Sequence, residues 1–154
     1  MSYFIGQAKT AIDGKGRSSF PREFRQQLSA EEGERFVVTK GPNRTLWLFV
    51  LNEYEKFLAD LEKSKTRLEA EKFRKNLCEV LVELDGQNRI LLPKELLSYA
   101  GLTTEVRYFA TTRGKSLELW NPERLTEQTQ EMDQQTFDDM FYSIGATEGL
   151  DAKP

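Results

Sequence analysis

The chain changes its hydrophobic period twice, in the same order each time. FIGQAKTAID (4–13) alternates weakly between apolar and polar positions, as a half-buried strand does, and RSSF (17–20) continues it as a short strand. Asp13-Gly14 between them is a tight-turn signal, with Gly16 as a further permissive position. PREFRQQL (21–28) then reads as a short helix, with Pro21 in its first turn, Ser19 or Phe20 near the cap, and Phe24 and Leu28 facing inward. RFVVTK and RTLWLFV follow as strands around the turn Gly41-Pro42-Asn43.

The same order returns downstream. EVLVELD and RILLP predict strands around Gly86-Gln87-Asn88, KELLSYAG a helix ending at Gly101, and EVRYFATT and SLELW strands around Arg113-Gly114-Lys115. Asp13, Gly14, Arg17, Pro21 and Glu23 superpose on Asp85, Gly86, Arg89, Pro93 and Glu95 at an offset of 72, and LWLF (46–49) on LELW (117–120) at 71. Two long units, each β-turn-β-helix-β-turn-β, are not a solenoid of short repeats. A unit of ~50 residues has a marginal core by itself, so packing as a pair is a physical reason for the duplication.

Helical periodicity follows each unit. After the first, Asn52 with Glu55 suggests a capping box, and Tyr54, Phe57, Leu58 and Leu61 make an apolar stripe. Ser64 to Thr66 break it before a second helix carried by Leu68, Phe73 and Leu77. After the second unit, Asn121 caps, Pro122 takes the first position, and Leu125, Met132, Phe137, Met140 and Phe141 mark the buried side. The expected organisation is α+β and β-rich: a first unit with connecting helices over 1–80, a second unit with its C-terminal helix over 81–144, and a flexible tail over 145–154.

Composition narrows the chemistry. Of the 154 residues, 38% are hydrophobic and 31% charged, which suits a soluble globular protein. No apolar run approaches the ~20 residues of a membrane helix, and MSYFIGQAK has no long apolar segment or cleavage site, so neither a membrane partner nor a signal peptide is expected. The absence of histidine and the single cysteine, Cys78, count against a zinc site, a His-based triad or a disulfide, so neither metal, cofactor nor small-molecule substrate is inferred and an enzyme is disfavoured. Cys78, between Leu77 and Val80, reads as buried.

The net charge of −3 argues against nucleic acid, but its distribution does not. Residues 1–27 carry five cations against Asp13 and Glu23, a local +3, whereas 118–154 carry nine acids against Arg124 and Lys153, a local −7. Phosphates respond to the local field, because salt screens charges beyond ~8–10 Å. The turn DGKGR displays Lys15 and Arg17 where backbone can approach phosphate closely, and an arginine can fork onto guanine O6 and N7. The plainer reading is that Asp13 and Arg17 pair and fix the turn; the two coexist if Asp13 orients Arg17. Arg22 flanks the turn from the helix start, while Arg25 and the basic run 63–75 read as solvated faces. In the second copy Gln87 and Asn88 replace Lys15 and Gly16, so that turn reads as structural or auxiliary, with Arg89 as its remaining candidate DNA contact and Asp85 as orienting partner. Trp47, Phe49 and Trp120 read as core or subunit interface.

The doubled Asp-x-x-x-Arg pattern within DGKGRSSFP and DGQNRILLP, with GLTTEV and the strand LELW, resembles the MraZ family, bacterial transcriptional regulators of the division and cell wall gene cluster. The resemblance covers residues 3–142 in order, and Gln87 and Asn88 depart from the lysine-glycine pattern of the first motif. It implies a tandem pair of AbrB-like swapped-hairpin units, a ring-shaped homo-oligomer, and cytoplasmic, nucleoid-associated binding of double-stranded promoter DNA at repeated sites of its own operon, usually as a repressor. It points to Lys15 and Arg17 as the main readers, with Asp13 orienting them. A protein-interaction or antitoxin-like scaffold is the alternative.

Overall fold

A computed structural model describes residues 2–128 and 132–145. The first unit contributes β1 (Gln7–Ala11), β2 (Arg17–Ser19), α1 (Arg22–Arg25), β3 (Arg35–Gly41) and β4 (Thr45–Val50). Two helices follow, α2 (Leu51–Ser64) and α3 (Arg67–Asn76). The second unit contributes β5 (Val80–Glu83), β6 (Arg89–Leu91), α4 (Lys94–Ala100), β7 (Glu105–Ala110) and β8 (Ser116–Trp120), then α5 (Pro122–Gln128) and α6 (Gln134–Ser143). The tail expected over 145–154 lies, from residue 146, outside the described residues.

The two units interlock. A six-stranded antiparallel sheet runs β1-β7-β8-β4-β3-β5, so β1 of the first unit pairs with β7 of the second, and β5 of the second with β3 of the first. β2 and β6 form a separate antiparallel ribbon. Each unit thus lends its leading hairpin to the closing hairpin of the other, an α+β tandem of swapped hairpins. Repeat-related residues meet at two places. Ser18 pairs with Ile90 at the centre of the ribbon, and Trp47 with Glu118 at the centre of the sheet. A pseudo-two-fold axis therefore passes through both pairs.

One core lies between ribbon and sheet. Phe24, Phe36, Leu46, Leu48, Ile90, Val106, Tyr108, Leu117 and Leu119 are fully buried there. Burying each large apolar side chain contributes about 1.5–3 kcal/mol against ordering entropy, and neither unit alone supplies both layers. Phe20, at the end of β2, stacks on Phe36 with centroids 4.9 Å apart. Tyr108 Oη and Ser18 Oγ share a 2.6 Å hydrogen bond beneath the ribbon, and burial pushes the Tyr108 phenol pKa upward, so it stays neutral. The ribbon is therefore anchored to the sheet by aromatic packing and a satisfied buried polar pair.

Several local expectations fail. α1 is one turn long, Pro21 itself takes the cap position, and no side chain caps it. Leu28, beyond that turn, is half-buried against the core. Asn52 lies inside α2, whose cap residue Val50 continues straight from β4. The capping box is instead Thr66 with Glu69, where the chain leaves α2 and Thr66 takes an extended conformation before α3. Of the three residues expected to carry the second helix, Leu68 and Phe73 are 74% and 48% exposed, while Leu77, at the C-cap of α3, is buried as expected; within α3 the buried residue is Ala70. Met132, Phe137, Met140 and Phe141, expected on a buried side, are also exposed, and among the described residues α6 buries none of its own. Cys78 is only partly buried and takes a positive φ of 51°, its thiol donating to Glu95 Oε1 at 3.4 Å. Asn121 does cap α5, its Oδ1 accepting from Glu123 N at 2.9 Å.

Candidate nucleic-acid interface

Antiparallel pairing of β2 with β6 brings the two Asp-x-x-x-Arg turns side by side. Arg17 lies opposite Leu91 and Arg89 opposite Ser19, around the central Ser18–Ile90 pair. Directly opposed residues share a face of a ribbon. Ser18 and Ile90 face the core and are buried, so Arg17, Ser19, Arg89 and Leu91 form the outward face. Arg17 and Arg89 sit diagonally across the pseudo-axis.

The turns share one backbone design. Asp13 N–H donates to the Arg17 carbonyl at 3.0 Å, and Asp85 N–H to the Arg89 carbonyl at 2.9 Å. Asp13 Oδ1 accepts from the N–H groups of Lys15 and Arg17, both at 2.9 Å. Asp85 Oδ1 accepts likewise from Gln87 at 2.8 Å and Arg89 at 3.0 Å. These N–H groups, that of the arginine first, hold both carboxyls below the usual carboxylate range. Both turns need a left-handed residue next, Gly16 at φ 87° and Asn88 at φ 58°. Asparagine is one of the few side-chain-bearing residues that visits this region readily. At Gly16 a β-carbon would stand 2.9 Å from both the Leu92 carbonyl oxygen and Leu97 Cδ1, so glycine is required for space as well. Gly16 in turn accepts a 2.9 Å bond at its carbonyl from Leu92 N–H, and Asn88 one from Phe20 N–H.

The side chains diverge. Arg89 Nε donates to Asp85 Oδ2 at 2.9 Å, and its Nη1 lies 3.8 Å from Asp13 Oδ2. Arg17 Nη1 lies 3.6 Å from that same Asp13 oxygen. Asp13 thus serves both arginines across the two turns, a link the single sequence did not signal. Arg89 is gripped by two carboxylates, Arg17 only loosely by one. Lys15 is exposed at the first tip, and Arg22 is exposed at the start of α1; neither side chain has an ion pair among the described residues. Lys94 follows Pro93 as Arg22 follows Pro21 and is likewise exposed; the repeat offset was the signal that could have found it. Lys9, by contrast, pairs with Glu105 at 3.2 Å.

A family model described as "MraZ protein, putative antitoxin-like" matches residues 3–76 and again 78–141, one match per repeat. The chain belongs to the MraZ family. Relatives named transcriptional regulator MraZ include one from Leuconostoc citreum, 33% identical over 140 residues, covering 89% of this chain and 93% of the relative. Another, from Caldicellulosiruptor bescii, is 36% identical over 133 residues, covering 82% and 87%. Among the described residues no helix is long and apolar enough to cross a membrane, and no group of three or more Asp, Glu or Cys side chains is placed to hold a metal ion.

Proposed function

We propose that this MraZ-family chain is a sequence-specific DNA-binding transcriptional regulator, a repressor of its own division and cell wall operon that engages repeated promoter sites as a homo-oligomeric ring. The observation that supports it best is the ribbon face, where Arg17 and Arg89 stand outward beside the unpaired Lys15 tip. A two-stranded ribbon fits the major groove, ~12 Å wide, and an arginine on its face can fork onto guanine. On this reading Arg17 reads a base, Lys15 and Arg22 take phosphates, and Asp13 orients Arg17. Arg89, with Asp85, braces the ribbon and adds positive field. Units 1–80 and 81–144 act as the two halves of one reading body, working in the cytoplasm on the nucleoid.

A ring resolves the charge imbalance. One tip with two or three cations is a weak binder, but linked copies on repeated sites gain ~10²–10⁴ in avidity where geometry permits. The net charge of −3 holds down non-specific binding that basic tips alone would promote. The test is fluorescence anisotropy with a labelled duplex from upstream of the protein's own gene, against a scrambled duplex, at two salt concentrations. Wild type should discriminate, with salt-sensitive affinity. Lys15→Ala/Arg17→Ala should lose at least ~10-fold per site while melting as wild type does, since one base-reading arginine alone accounts for ~1–3 kcal/mol. Equal binding to both duplexes would sink the reading and bring a protein partner to the front.

A further inference from the structure

Of the four side chains on the outward face of the ribbon, one is a large hydrocarbon. Leu91 is 57% exposed, whereas its neighbours Ile90 and Leu92 are buried. A single exposed leucine is ordinary on a protein surface, so its placement carries the argument. The register sets Leu91 directly opposite Arg17, and Ser19 directly opposite Arg89. Residues so opposed have β-carbons about 4.5–5.5 Å apart on one face. Leu91 also reaches the first turn, because a β-carbon built on Gly16 would lie 4.0 Å from Leu91 Cδ1. At the repeat offset of 72, the counterpart of Leu91 is Ser19. The two ends of the ribbon therefore differ in apolar character as well as in charge. The end with Lys15 and the loosely held Arg17 receives a leucine from the second unit. The end with Gln87 and the gripped Arg89 receives a serine from the first.

We infer that Leu91 determines specificity by packing on the 5-methyl group of a thymine next to the base that Arg17 reads. The inference rests on the DNA reading proposed above and adds a second base to it. In the major groove the thymine methyl is the apolar group that a base edge offers. Successive bases lie about 3.4 Å apart along the helix axis, so opposed side chains on one ribbon face can meet neighbouring base pairs. The pair then divides the work: Arg17 forks onto guanine O6 and N7, and Leu91 removes a methyl group from water. Set against the cytosine amino group instead, Leu91 would cover a polar donor without pairing it. Ser19 can donate to or accept from several base edges, so the Arg89 end should discriminate less.

The test is fluorescence anisotropy of the full chain on the duplex from upstream of its own gene, beside the same duplex with deoxyuridine for every thymidine. Deoxyuridine keeps the base pairing and removes only the methyl groups. Wild type should bind the deoxyuridine duplex about 4-fold more weakly per site, the loss expected for one buried methyl group. Leu91→Ser, which repeats the residue at the other end, should bind the thymidine duplex more weakly and treat the two duplexes alike. Leu91→Met keeps the reach and the hydrocarbon and should retain the wild-type preference. Both variants should melt and sediment as wild type does, since Leu91 is exposed. If Leu91→Ser does not fold, Leu91→Gln, polar and of similar length, must lose the preference for the inference to stand. Equal wild-type affinity for the two duplexes, or a Leu91→Ser chain that keeps the full preference, would overturn it. A change in sedimentation without DNA would assign Leu91 to a contact between copies and overturn it too. The scrambled duplex separates the two readings. A wild type that rejects the scrambled duplex but not the deoxyuridine one defeats this inference and leaves the DNA reading standing, whereas one that accepts all three defeats both.

Discussion

The turn over Asp13–Arg17 and the turn over Asp85–Arg89 have nearly the same backbone and different chemistry. In both, the aspartate Oδ1 collects two N–H groups and the fourth residue is left-handed. The first turn then leaves Lys15 unpaired and Arg17 loosely held, while the second has Gln87 at the tip and Arg89 gripped by Asp85 and Asp13. The two copies share the part that builds the hairpin and differ in the part that carries charge. The aspartate is therefore explained by backbone geometry in both copies, whereas no contact among the described residues explains the lysine, and the proposed DNA contact is what would.

The largest effect on this comparison should come from exchanging the left-handed residues. Gly16→Asn puts a β-carbon 2.9 Å from the backbone carbonyl oxygen of the buried Leu92, just after β6, which cannot easily give way. It should cost about 1–3 kcal/mol in urea unfolding. Asn88→Gly should stay within about 0.5 kcal/mol, since glycine adopts the same φ freely. Equal costs would show that the turns are packed alike and that the glycine is not a spatial requirement.

A smaller change should follow from making the second tip resemble the first. Gln87→Lys adds one exposed cation beside Arg89. It should steepen the dependence of log affinity on log salt by up to ~1 per chain without altering stability. No change in slope would mean that the second tip does not reach the backbone of the nucleic acid.

The smallest effect concerns pH. Both aspartates have depressed pKa values in the folded chain, so the stability they contribute is present above the unfolded carboxylate pKa of ~3.9 and is lost as pH falls through the lower folded value. Asp13→Asn and Asp85→Asn should each flatten the fall in melting temperature between pH 5 and ~2. Asp13→Asn should do so more, because Asp13 faces Arg89 as well as Arg17. A steeper profile for Asp85→Asn would reverse the assigned roles.

Much of this was legible beforehand. The strands, both tight turns, α4 ending at a left-handed Gly101 and the Asn121 cap all follow from local chemistry. Helix starts were less legible. Asn52 with Glu55 has the composition of a capping box, but β4 runs directly into α2 and leaves no break for a cap. The apolar periodicity of Leu68, Phe73 and the α6 stripe correctly marks helix faces and says nothing of what covers them. Lys94 was reachable through the repeat offset, whereas the approach of Arg89 to Asp13 was not, because 76 residues separate them.

By itself, the sequence determined the duplication, the period of each element, the glycine and asparagine turns and the uneven placement of charge. These depend on neighbours within a few residues, where backbone sterics and side-chain hydrogen bonds act. Tertiary structure alone decided that the leading hairpins cross between units, that Arg17 and Arg89 share one outward face, and that Asp13 serves both. It also left Phe73 and the α6 stripe exposed. Those outcomes depend on which distant surfaces exclude water together, and hydrophobic burial carries no address in the local sequence.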